Sequence, residues 1–600
     1  MTAPPSPPDY PARLQALRDA MKSRELDGFF VPMADEYQSE YVPDSARRIE
    51  FLSAFTGSAG FIVVLMDKAA FFTDSRYTLQ ASQQIPQELF AIYDSATKRP
   101  DAWLAENARP EMKFGFDPWL HTAAGVEKLR RSIVKAKATL TPVADNPVDA
   151  IWPDRPAPPA APIYAYDMIY AGKSAAEKRQ SLAEELKRRS INAAMLTDPA
   201  SIAWLLNVRG GDVPHTPLPL SFAILRADAA VTWFVDPRKL TGGLLAQLGP
   251  QVIQLDPAAL PAALQRLGNA AQTVRIDPEE AAFWIVDCLT QAGAKLDCGE
   301  DPCVLPKACK NPVELDGMRN AHRRDGAALV KFLAWLDANA ATDKITELQV
   351  EEKLGALRAA ATHYRGPSFD TIAGAGPNGA VVHYRATAAT NRRLEQNSLL
   401  LLDSGGQYLD GTTDVTRTVA IGEPSREMRD RFTRVLKGHI ALASIRFPSG
   451  TTGAELDVLA RQHLWALGLD YGHGTGHGVG SYLGVHEGPQ GISRRSDVAL
   501  RVGMVLSNEP GYYKPNAYGI RIENLQTVIA LPEISTPERP FFGFEPLTLV
   551  PIDRRVIDAA LLTPPERDWL DAYHARVHTA LRPQLDEATA AWLEAATAPL

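Results

Sequence analysis

The sequence predicts an α/β protein of several domains, in which a mixed α+β region carries the chemistry. Its 600 residues exceed what one hydrophobic core usually organises, and its hydrophobic fraction of 45% is ordinary for a globular protein. Short apolar runs alternate with helical segments through the N-terminal half, which is the pattern of α/β domains. In the C-terminal half, apolar strands end on acidic residues such as Asp403 and Glu509. We therefore expect two α/β domains followed by a domain that contains a polar site.

The first predicted domain spans residues 1–155. Helical periodicity over residues 13–24 is followed by short strands that include residues 28–32 and 69–73. A proline-rich segment at residues 152–162 comes next, and repeated prolines do not continue a central strand or a helix. We expect a domain boundary in this segment.

A second α/β domain is predicted over residues 160–308. It begins with a charged helix at residues 174–190, and strands at residues 193–196 and 220–225 follow. Its length and its alternation of helices and strands match those of the first domain. The two domains are therefore interpreted as a structural repeat.

The third predicted domain spans residues 311–545 and begins with a long amphipathic helix. Asn311 is placed to cap this helix, Pro312 suits its first position, and Glu314 completes a capping box. The remaining segment, residues 546–600, contains two helical stretches that a minimal third domain does not require. We treat it as a C-terminal extension.

Composition excludes several classes of function. The net charge of -8 includes no long basic run, so we expect neither nucleic acid nor an anionic membrane as a partner. The apolar runs are of strand length, and residues 1–11 are proline-rich without the apolar core of a secretory signal, which predicts a cytoplasmic protein. The 4 cysteines form no Cys-x-x-Cys pair, so buried free thiols are expected.

Two carboxylates lie on a predicted β-hairpin. Four consecutive leucines form an apolar strand that ends at Asp403, and Asp414 lies on the returning strand. With a two-residue turn at Asp410 and Gly411, the two carboxylates share a face but lie roughly 13 Å apart along the strands. A bulge or strong twist near Gly405 is needed to shorten that distance. The simpler alternative is an edge hairpin with solvated aspartates.

Further candidate ligands follow downstream. Three of the 12 histidines, His473, His477 and His486, are close in sequence within a glycine-dense segment. A second apolar strand ends at Glu509, and Glu523 lies on an alternating strand. For each histidine the competing interpretation is a satisfied core or turn residue. The clustering of three of them favours a site.

One imidazole and four carboxylates together suit hard divalent cations such as Mn²⁺. Four carboxylates carry more negative charge than one such ion balances, so two ions with bridging carboxylates are expected. Two ions about 3.5–4 Å apart can hold a hydroxide at neutral pH and polarise a carbonyl. Peptide or amide hydrolysis is therefore the leading chemistry.

These motifs resemble those of the pita-bread metallopeptidases, and within them the aminopeptidase P (Xaa-Pro aminopeptidase) family of the long, three-domain cytosolic type. The resemblance covers nearly the whole chain. It rests on Leu402-Asp403-Ser-Gly-Gly, Thr413-Asp414-Val-Thr-Arg417-Thr, His473-Gly-Thr-Gly-His477-Gly, Val485-His486-Glu-Gly-Pro, Asn508-Glu509-Pro-Gly-Tyr-Tyr513 and Ile520-Arg521-Ile-Glu523-Asn524. N-terminal segments such as Phe55-Thr-Gly-Ser-Ala-Gly and Thr73-Asp-Ser-Arg76-Tyr are similar to those of its two creatinase-like domains.

The resemblance implies a role for each metal ligand. Asp403 and Asp414 are expected to bind one metal. The second metal is expected to be bound by Asp414, His477, Glu509 and Glu523, with Asp414 and Glu523 bridging the two ions. Glu509 is also expected to transfer a proton.

The resemblance also implies roles for residues that contact substrate. His486 is expected to donate to the scissile carbonyl or its oxyanion, and His383 to assist in positioning the substrate. His473 is expected to line the proline side of the cleft, with Tyr513 and Arg521 as further substrate-binding residues.

The implied function is release of the N-terminal residue from peptides with proline at the second position. A metal-bridging hydroxide is expected to attack the Xaa-Pro carbonyl, and the C-terminal extension is associated in the family with homodimers. Alternatives are a prolidase-type dipeptidase and a non-catalytic pita-bread binding or scaffold protein. Creatinase keeps the fold without metal, but the presence of every ligand type argues against that reading. The N-terminal domains argue against a methionine aminopeptidase, which lacks them.

Overall fold

The computed structural model describes residues 8–340 and 344–600 in two compact units. The prediction for the proline-rich N-terminus therefore falls partly outside the described residues. One unit contains the described residues up to Tyr166, together with Lys173–Pro214 and Leu218–Cys303. The other contains Asp167–Gly172, His215–Pro217 and the chain from Val304 onward.

The first unit begins with an α/β region built on a mixed six-stranded sheet in the order β4-β3-β2-β1-β5-β6. Antiparallel pairing joins β1 to β2 and β2 to β3, and the remaining neighbours are parallel. The strands are β1 (Gly28–Pro32), β2 (Phe61–Leu65), β3 (Ala69–Thr73), β4 (Ala91–Asp94), β5 (Lys113–Phe116) and β6 (Thr139–Pro142), and the helices are α1 (Tyr10–Lys22), α2 (Arg48–Ser53), α3 (Thr78–Gln84), α4 (Pro100–Asn107), α5 (Ala123–Lys135) and α6 (Pro147–Ala150).

A second six-stranded sheet repeats this topology. Its order is β12-β11-β10-β8-β13-β14, and each neighbouring pair runs in the same sense as its counterpart in the first sheet. The elements are β7 (Tyr164–Ala165), α7 (Met168–Ala171), α8 (Ala175–Arg188), β8 (Ala193–Leu196), α9 (Pro199–Leu206), β9 (Val208–Arg209), β10 (Phe222–Arg226), β11 (Val231–Phe234), α10 (Leu244–Leu248), β12 (Val252–Leu255), α11 (Leu260–Asn269), β13 (Thr273–Ile276), α12 (Phe283–Gln291) and β14 (Lys295–Cys298). The interpretation of a structural repeat agrees with this shared strand order.

The second unit carries the polar site on several small sheets. One six-stranded sheet has the order β21-β28-β27-β24-β22-β23, and β16-β17-β20 form a three-stranded sheet. Its elements are α13 (Val304–Ala308), α14 (Pro312–Asn339), α15 (Glu347–Ala359), β15 (Tyr364–Pro367), β16 (Ile372–Ala375), β17 (Ser398–Ser404), β18 (Gly406–Tyr408), β19 (Gly411–Thr412), β20 (Val415–Ile421), α16 (Arg426–Ala443), β21 (Phe447–Pro448), α17 (Gly453–Trp465), β22 (Gly476–Gly478), β23 (Glu487–Ile492), β24 (Val505–Asn508), β25 (Gly511–Lys514), β26 (Tyr518–Arg521), β27 (Asn524–Ala530), β28 (Phe541–Pro546), α18 (Pro564–Leu581) and α19 (Glu587–Ala596).

Strand β17 is buried on both faces, as its four leucines predict. Leu399 belongs to a core cluster that includes residues of α16 and α18, whereas Leu400 and Leu402 belong to a cluster with α14 and α15. Alternation along the strand sends neighbouring side chains into these separate cores. The strand is therefore held between two cores, and its last residues emerge into the polar site.

Helix α14 begins as the capping pattern predicts. The Asn311 side chain accepts hydrogen bonds from the backbone N–H of Val313 and Glu314, and Glu314 completes the capping box. Gly317 in this helix lies so close to the Asp410 carbonyl that a Cβ at position 317 would overlap with that oxygen. The helix therefore packs directly against the turn that follows β18.

The four cysteines are free, as expected, but only Cys303 is buried. Cys298 is exposed because it ends β14, an edge strand of the second sheet, so the expectation of burial is wrong for this residue. Within the described ranges, no helix is both long enough and apolar enough to cross a membrane.

A buried ion pair supports the strand ends of the second unit. Arg358 binds Asp325 through two hydrogen bonds of 2.7 and 3.0 Å, and both side chains are at most 3% exposed. The same guanidinium donates to the carbonyl of Ser404 at 3.3 Å, next to Asp403. Tyr408 also donates to Asp325, at 2.8 Å.

We expect Arg358→Met to lower the free energy of unfolding of the second unit by about 3–5 kcal/mol, because it leaves a buried carboxylate without its partner. The measurement is the shift of the urea transition assigned to that unit. Arg392→Ala is the control, since its ion pair with Glu395 is exposed and should contribute less than about 1 kcal/mol. Equal losses in the two variants would contradict the role given to the buried pair.

Candidate metal centre

Asp403, in β17, and Asp414, directly before β20, lie on one antiparallel hairpin. Asp403 pairs with Thr416, and the outer hairpin keeps the same register, with Tyr408 opposite Gly411. The turn therefore lies at Leu409 and Asp410, one residue earlier than predicted. Because Asp414 then lies opposite position 405, the two carboxylates share a face at a separation of two residues, roughly 7 Å.

The ladder of this hairpin is interrupted next to the two aspartates. Gly405 lies outside the strands, and a Cβ at this position would overlap with the Thr413 carbonyl and the Ser368 hydroxyl. The Ser368 hydroxyl donates to that same carbonyl at 2.8 Å. Because the register is continuous across this position, the predicted bulge near Gly405 is wrong, and this glycine instead permits a close approach of backbone.

His477 lies on β22, between β23 and β24. Its two neighbours are glycines because a Cβ at Gly476 would overlap with the Ser507 carbonyl, and one at Gly478 with the Glu487 carbonyl. The register with β23 shifts between His477 and Gly478. Nδ1 of His477 lies 3.0 Å from the Gly478 carbonyl and is therefore the protonated nitrogen in the neutral ring. Nε2 is left with a lone pair that faces the carboxylates.

Glu509 and Glu523 lie where two paired strands separate. Glu509 follows the last residue of β24, and Glu523 precedes the first residue of β27. These two end residues, Asn508 and Asn524, are opposite each other in the ladder. Both glutamates therefore lie at one edge of the sheet.

The ligand atoms of these strands converge. Nε2 of His477 lies 3.4 Å from both Oδ2 of Asp414 and Oε1 of Glu509. Ligand atoms of Asp414, His477 and Glu523 all lie within 4.8 Å of one another. Asp403, Asp414 and Glu523 are at most 8% exposed. Such a group of inward-facing oxygen and nitrogen atoms suits a divalent cation.

Asp403, Glu509 and Glu523 resist ionisation because they are buried close to other carboxylates. Burial and the Asp414 charge raise the pKa of Asp403 to about 6, against the opposing effect of Arg521. Burial and neighbouring carboxylates raise the pKa of Glu523 well above its ordinary value, and burial raises that of Glu509. Burial lowers the pKa of His477, but Asp414 and Glu509 outweigh it and raise the value to about 9. The shifts of the carboxylates reflect burial first and neighbouring negative charge second, and the raised pKa of His477 reflects the carboxylates around it.

A second observation also indicates that these residues suit a bound metal ion. Oδ1 of Asp403 is buried and has no hydrogen-bond partner among the described residues, although its other oxygen accepts from Arg521 at 2.6 Å. A buried carboxylate oxygen without a donor is costly unless a cation contacts it. Asp403 therefore offers a buried oxygen that suits a cation, close to the cluster of Asp414, His477 and Glu523.

Arg521 links the centre to the predicted proline side of the cleft. It is 1% exposed and donates to Asp403 and to the Tyr513 hydroxyl, each at 2.6 Å. The Tyr513 hydroxyl also lies 2.8 Å from Nε2 of His473. The guanidinium of Arg521 thus binds protein groups, and its predicted contact with substrate stays a prediction.

The structure brings the other two predicted histidines to the same region. The His486 ring is exposed and lies at right angles to the His477 ring, with 4.3 Å between the ring centroids. His383 is half-buried in a turn, directly after Val382, whose carbonyl accepts from Arg521 at 3.4 Å.

Sequence reasoning assigned no role to two hydroxyl residues that hold the ligands. Thr416 donates to Oε2 of Glu523 at 2.8 Å and accepts from Nε of Arg521 at 3.1 Å. Ser507 accepts from the backbone N–H of His477 at 2.9 Å and donates to Oε1 of Glu509 at 3.1 Å. The sequence contained one signal for these two residues, since each lies within two positions of a candidate ligand.

Comparison with known proteins covers nearly the whole chain. Residues 316–530 match the metallopeptidase family M24, and residues 540–600 match the C-terminal region of peptidase M24. Residues 13–150 and 154–314 each match a creatinase/prolidase N-terminal domain. A probable Xaa-Pro aminopeptidase P from Paracoccidioides brasiliensis is 40% identical, over 99% of each chain. Aminopeptidase P1 from Lotus japonicus is 37% identical, over 98% of this chain and 99% of its own.

Solved structures agree with these matches. The X-prolyl aminopeptidase of Caenorhabditis elegans, described as a cytosolic enzyme with a dinuclear active site, is 34% identical, with a TM-score of 0.94. The alignment covers 99% of this chain and 100% of that one. An Xaa-Pro dipeptidase from Bacillus anthracis shares the fold over 63% of this chain, with 24% identity and a TM-score of 0.51. The predicted fold class is thus confirmed, and the chain belongs to the Xaa-Pro aminopeptidase P family of M24 metallopeptidases.

Proposed function

We propose that this chain is a metal-dependent aminopeptidase that releases the N-terminal residue from peptides with proline at the second position. The observation that carries the proposal is the convergence of Asp414, His477 and Glu523, with Asp403 and Glu509 beside them, in a chain of this family. We propose that these five residues hold two divalent ions, and that the ions are Mn²⁺. A predominance of oxygen donors favours a hard cation of this kind.

The two ions would supply an activated water nucleophile and would polarise the scissile carbonyl. Glu509 is placed to accept the proton of the nucleophile, since burial raises its pKa and Ser507 orients its Oε1. The exposed imidazole of His486, beside His477, is suited to donate to the carbonyl oxygen of the substrate. His383 is proposed to position the substrate from the turn beside Arg521.

Proline at the second position fits the chemistry of the cleft. An Xaa-Pro bond has no N–H, so recognition must depend on the ring and not on a hydrogen bond from that amide. His473 and Tyr513, joined by their 2.8 Å hydrogen bond, form an aromatic wall suited to the pyrrolidine. Because Arg521 holds the Tyr513 hydroxyl from behind, this wall is fixed before substrate arrives.

We also propose the division of the chain into residues 1–155, 160–308, 311–545 and 546–600. It is supported by the four matched ranges, whose limits fall close to these boundaries. A cytoplasmic location is proposed from the cytosolic relative of Caenorhabditis elegans.

We propose a homodimer formed through the second unit. Val458 and Trp465 lie seven residues apart on one face of α17, with Leu467 just beyond, and they are 43%, 40% and 43% exposed. Two large apolar side chains on one face of a helix, with a third just beyond its end, are suited to burial against a second copy.

Asp414→Asn is expected to reduce bound metal and to lower kcat/KM by more than about 100-fold, since even indirect partners of metal ligands contribute 10–100-fold. Metal content is measured by mass spectrometry on protein reloaded with Mn²⁺. Asp410→Asn is the matched control, because this carboxylate lies on the same hairpin but pairs with Arg324. Wild-type metal content and turnover in Asp414→Asn would refute the ligand assignment.

For release of the first residue, kcat/KM is expected to be about 10–200-fold higher for peptides such as Arg-Pro-Pro than for Arg-Ala-Pro. The alanine side chain leaves the space beside the aromatic wall unfilled. Acetylation of the N-terminus should block cleavage. Product analysis by chromatography checks both outcomes. Hydrolysis restricted to Xaa-Pro dipeptides would favour a prolidase, and absence of any hydrolysis by metal-loaded protein would favour a binding role.

Sedimentation equilibrium is expected to give a mass of two chains at micromolar concentration, and Trp465→Asp should shift it toward one chain because it places a charge on the apolar face of α17. Ile253→Asp is the control, because Ile253 is 55% exposed on β12 of the first unit. A wild-type monomer, or dissociation by the control alone, would overturn the proposed interface.

A further inference from the structure

His439 lies in α16, more than sixty residues before Glu509 in the sequence, and its side chain is completely buried. Nδ1 of its ring donates to the Asn508 carbonyl at 3.1 Å. The Asn508 side-chain amide in turn donates to the His439 carbonyl at 3.0 Å. On its other side, the Nε2 atom lies 3.3 Å from Nδ2 of Asn524. One imidazole therefore contacts two asparagines from different strands.

The direction of these hydrogen bonds follows from the neighbours. Nη2 of Arg417 donates to Oδ1 of Asn524 at 2.8 Å, so the amide nitrogen of Asn524 must face the imidazole as a donor. Nε2 of His439 is consequently the acceptor, and Nδ1 carries the proton. Burial and the nearby Arg417 charge lower the pKa of His439 to about 3, which keeps this neutral tautomer. The ring thus has one donor and one acceptor, and both are used.

The two asparagines occupy a special place in the sheet. Asn508 and Asn524 are opposite each other in the pairing of β24 with β27, at the end of the ladder. Asn508 immediately precedes Glu509, and Asn524 immediately follows Glu523. A group that holds both asparagines therefore determines how far apart the two strands lie where their carboxylates leave the backbone.

We propose that His439 is a positioning residue for the metal centre, acting through Asn508 on Glu509 and through Asn524 on Glu523. The inference rests on the proposed metal-dependent function and extends it to a residue that contacts none of the ligand atoms. Partners that orient metal ligands raise affinity by fixing those ligands before the ion binds. Without the imidazole, the Asn508 carbonyl loses this donor and the end of the ladder can separate.

A second buried histidine provides a matched comparison. His574 in α18 is also 0% exposed, and burial lowers the pKa of its ring to about 4. Its Nε2 accepts from the backbone N–H of Ile552 at 3.1 Å, a residue that is not next to a candidate ligand. Loss of His574 therefore reproduces the packing defect of a missing buried imidazole without releasing Glu509 or Glu523.

The test measures metal affinity and not only activity. Full-length wild type, His439→Leu and His574→Leu are stripped of metal and titrated with Co²⁺ by visible absorption and with Mn²⁺ by calorimetry, and their thermal midpoints are recorded. Both variants are expected to lose stability. Only His439→Leu is expected to bind the ions about 10–100-fold more weakly and to show an altered Co²⁺ spectrum. His439→Asn, whose amide can still donate to the Asn508 carbonyl, should bind with intermediate affinity and serves if the leucine variant does not fold.

Wild-type affinity and a wild-type Co²⁺ spectrum in the folded His439 variants would overturn the inference, as would equal losses in His439→Leu and His574→Leu. Different results would refute the proposed activity and this inference. Wild-type protein that binds two ions but does not cleave Xaa-Pro peptides refutes the activity, and the effect of His439 on metal affinity is still measured. Wild-type protein that binds no ions overturns the proposed centre and this inference with it.

Discussion

Mutual repulsion among buried carboxylates is the constraint on which the second unit depends. Asp403, Asp414, Glu509 and Glu523 are brought into one cleft, and burial, followed by the charge of neighbouring carboxylates, raises the pKa of Asp403, Glu509 and Glu523. In the described part of the chain, the guanidinium of Arg521 pairs with this set through Asp403. Such an arrangement is unfavourable in the isolated protein and becomes favourable when divalent ions bind. The fold therefore supplies the rigidity that keeps these side chains together beforehand.

That rigidity comes from backbone contacts and uncharged donors. Glycines at positions 405, 476 and 478 let neighbouring segments of the backbone approach more closely than any side chain allows. The hydroxyls of Thr416 and Ser507 hold two of the carboxylates without adding charge. Neutral donors are suited to the positions around the ligands, because a second positive charge beside each ligand would compete with the ion. The centre is thus surrounded by groups that orient its ligands and leave their charge available.

Local sequence patterns predicted the elements well and identified polar residues that the fold brings together, because caps, apolar strands and acidic strand ends depend on neighbouring residues. The hairpin turn was placed one residue too late, since Asp410-Gly411 has the stronger local turn preference. In the folded chain, Gly317 of α14 packs against the Asp410 carbonyl, so tertiary contact decides the turn. The role of His439 was not predictable, because its asparagine partners are distant in sequence. The extension beyond residue 545, which a minimal third domain was not expected to require, contributes Tyr573 to the core around Arg417.

This last contact has a consequence for how the protein is made. Arg417, three residues after Asp414, donates to the carbonyls of Val550 and Pro551 and to the hydroxyl of Tyr573, which is 156 residues later in the chain. Its buried guanidinium lacks these acceptors until that late segment has left the ribosome. This contact of the second unit can form only once the late segment is available, whereas the first unit contains no residue beyond Cys303. A chain that stops before Val550 therefore leaves this guanidinium, close to the candidate ligands in sequence, without three of its acceptors.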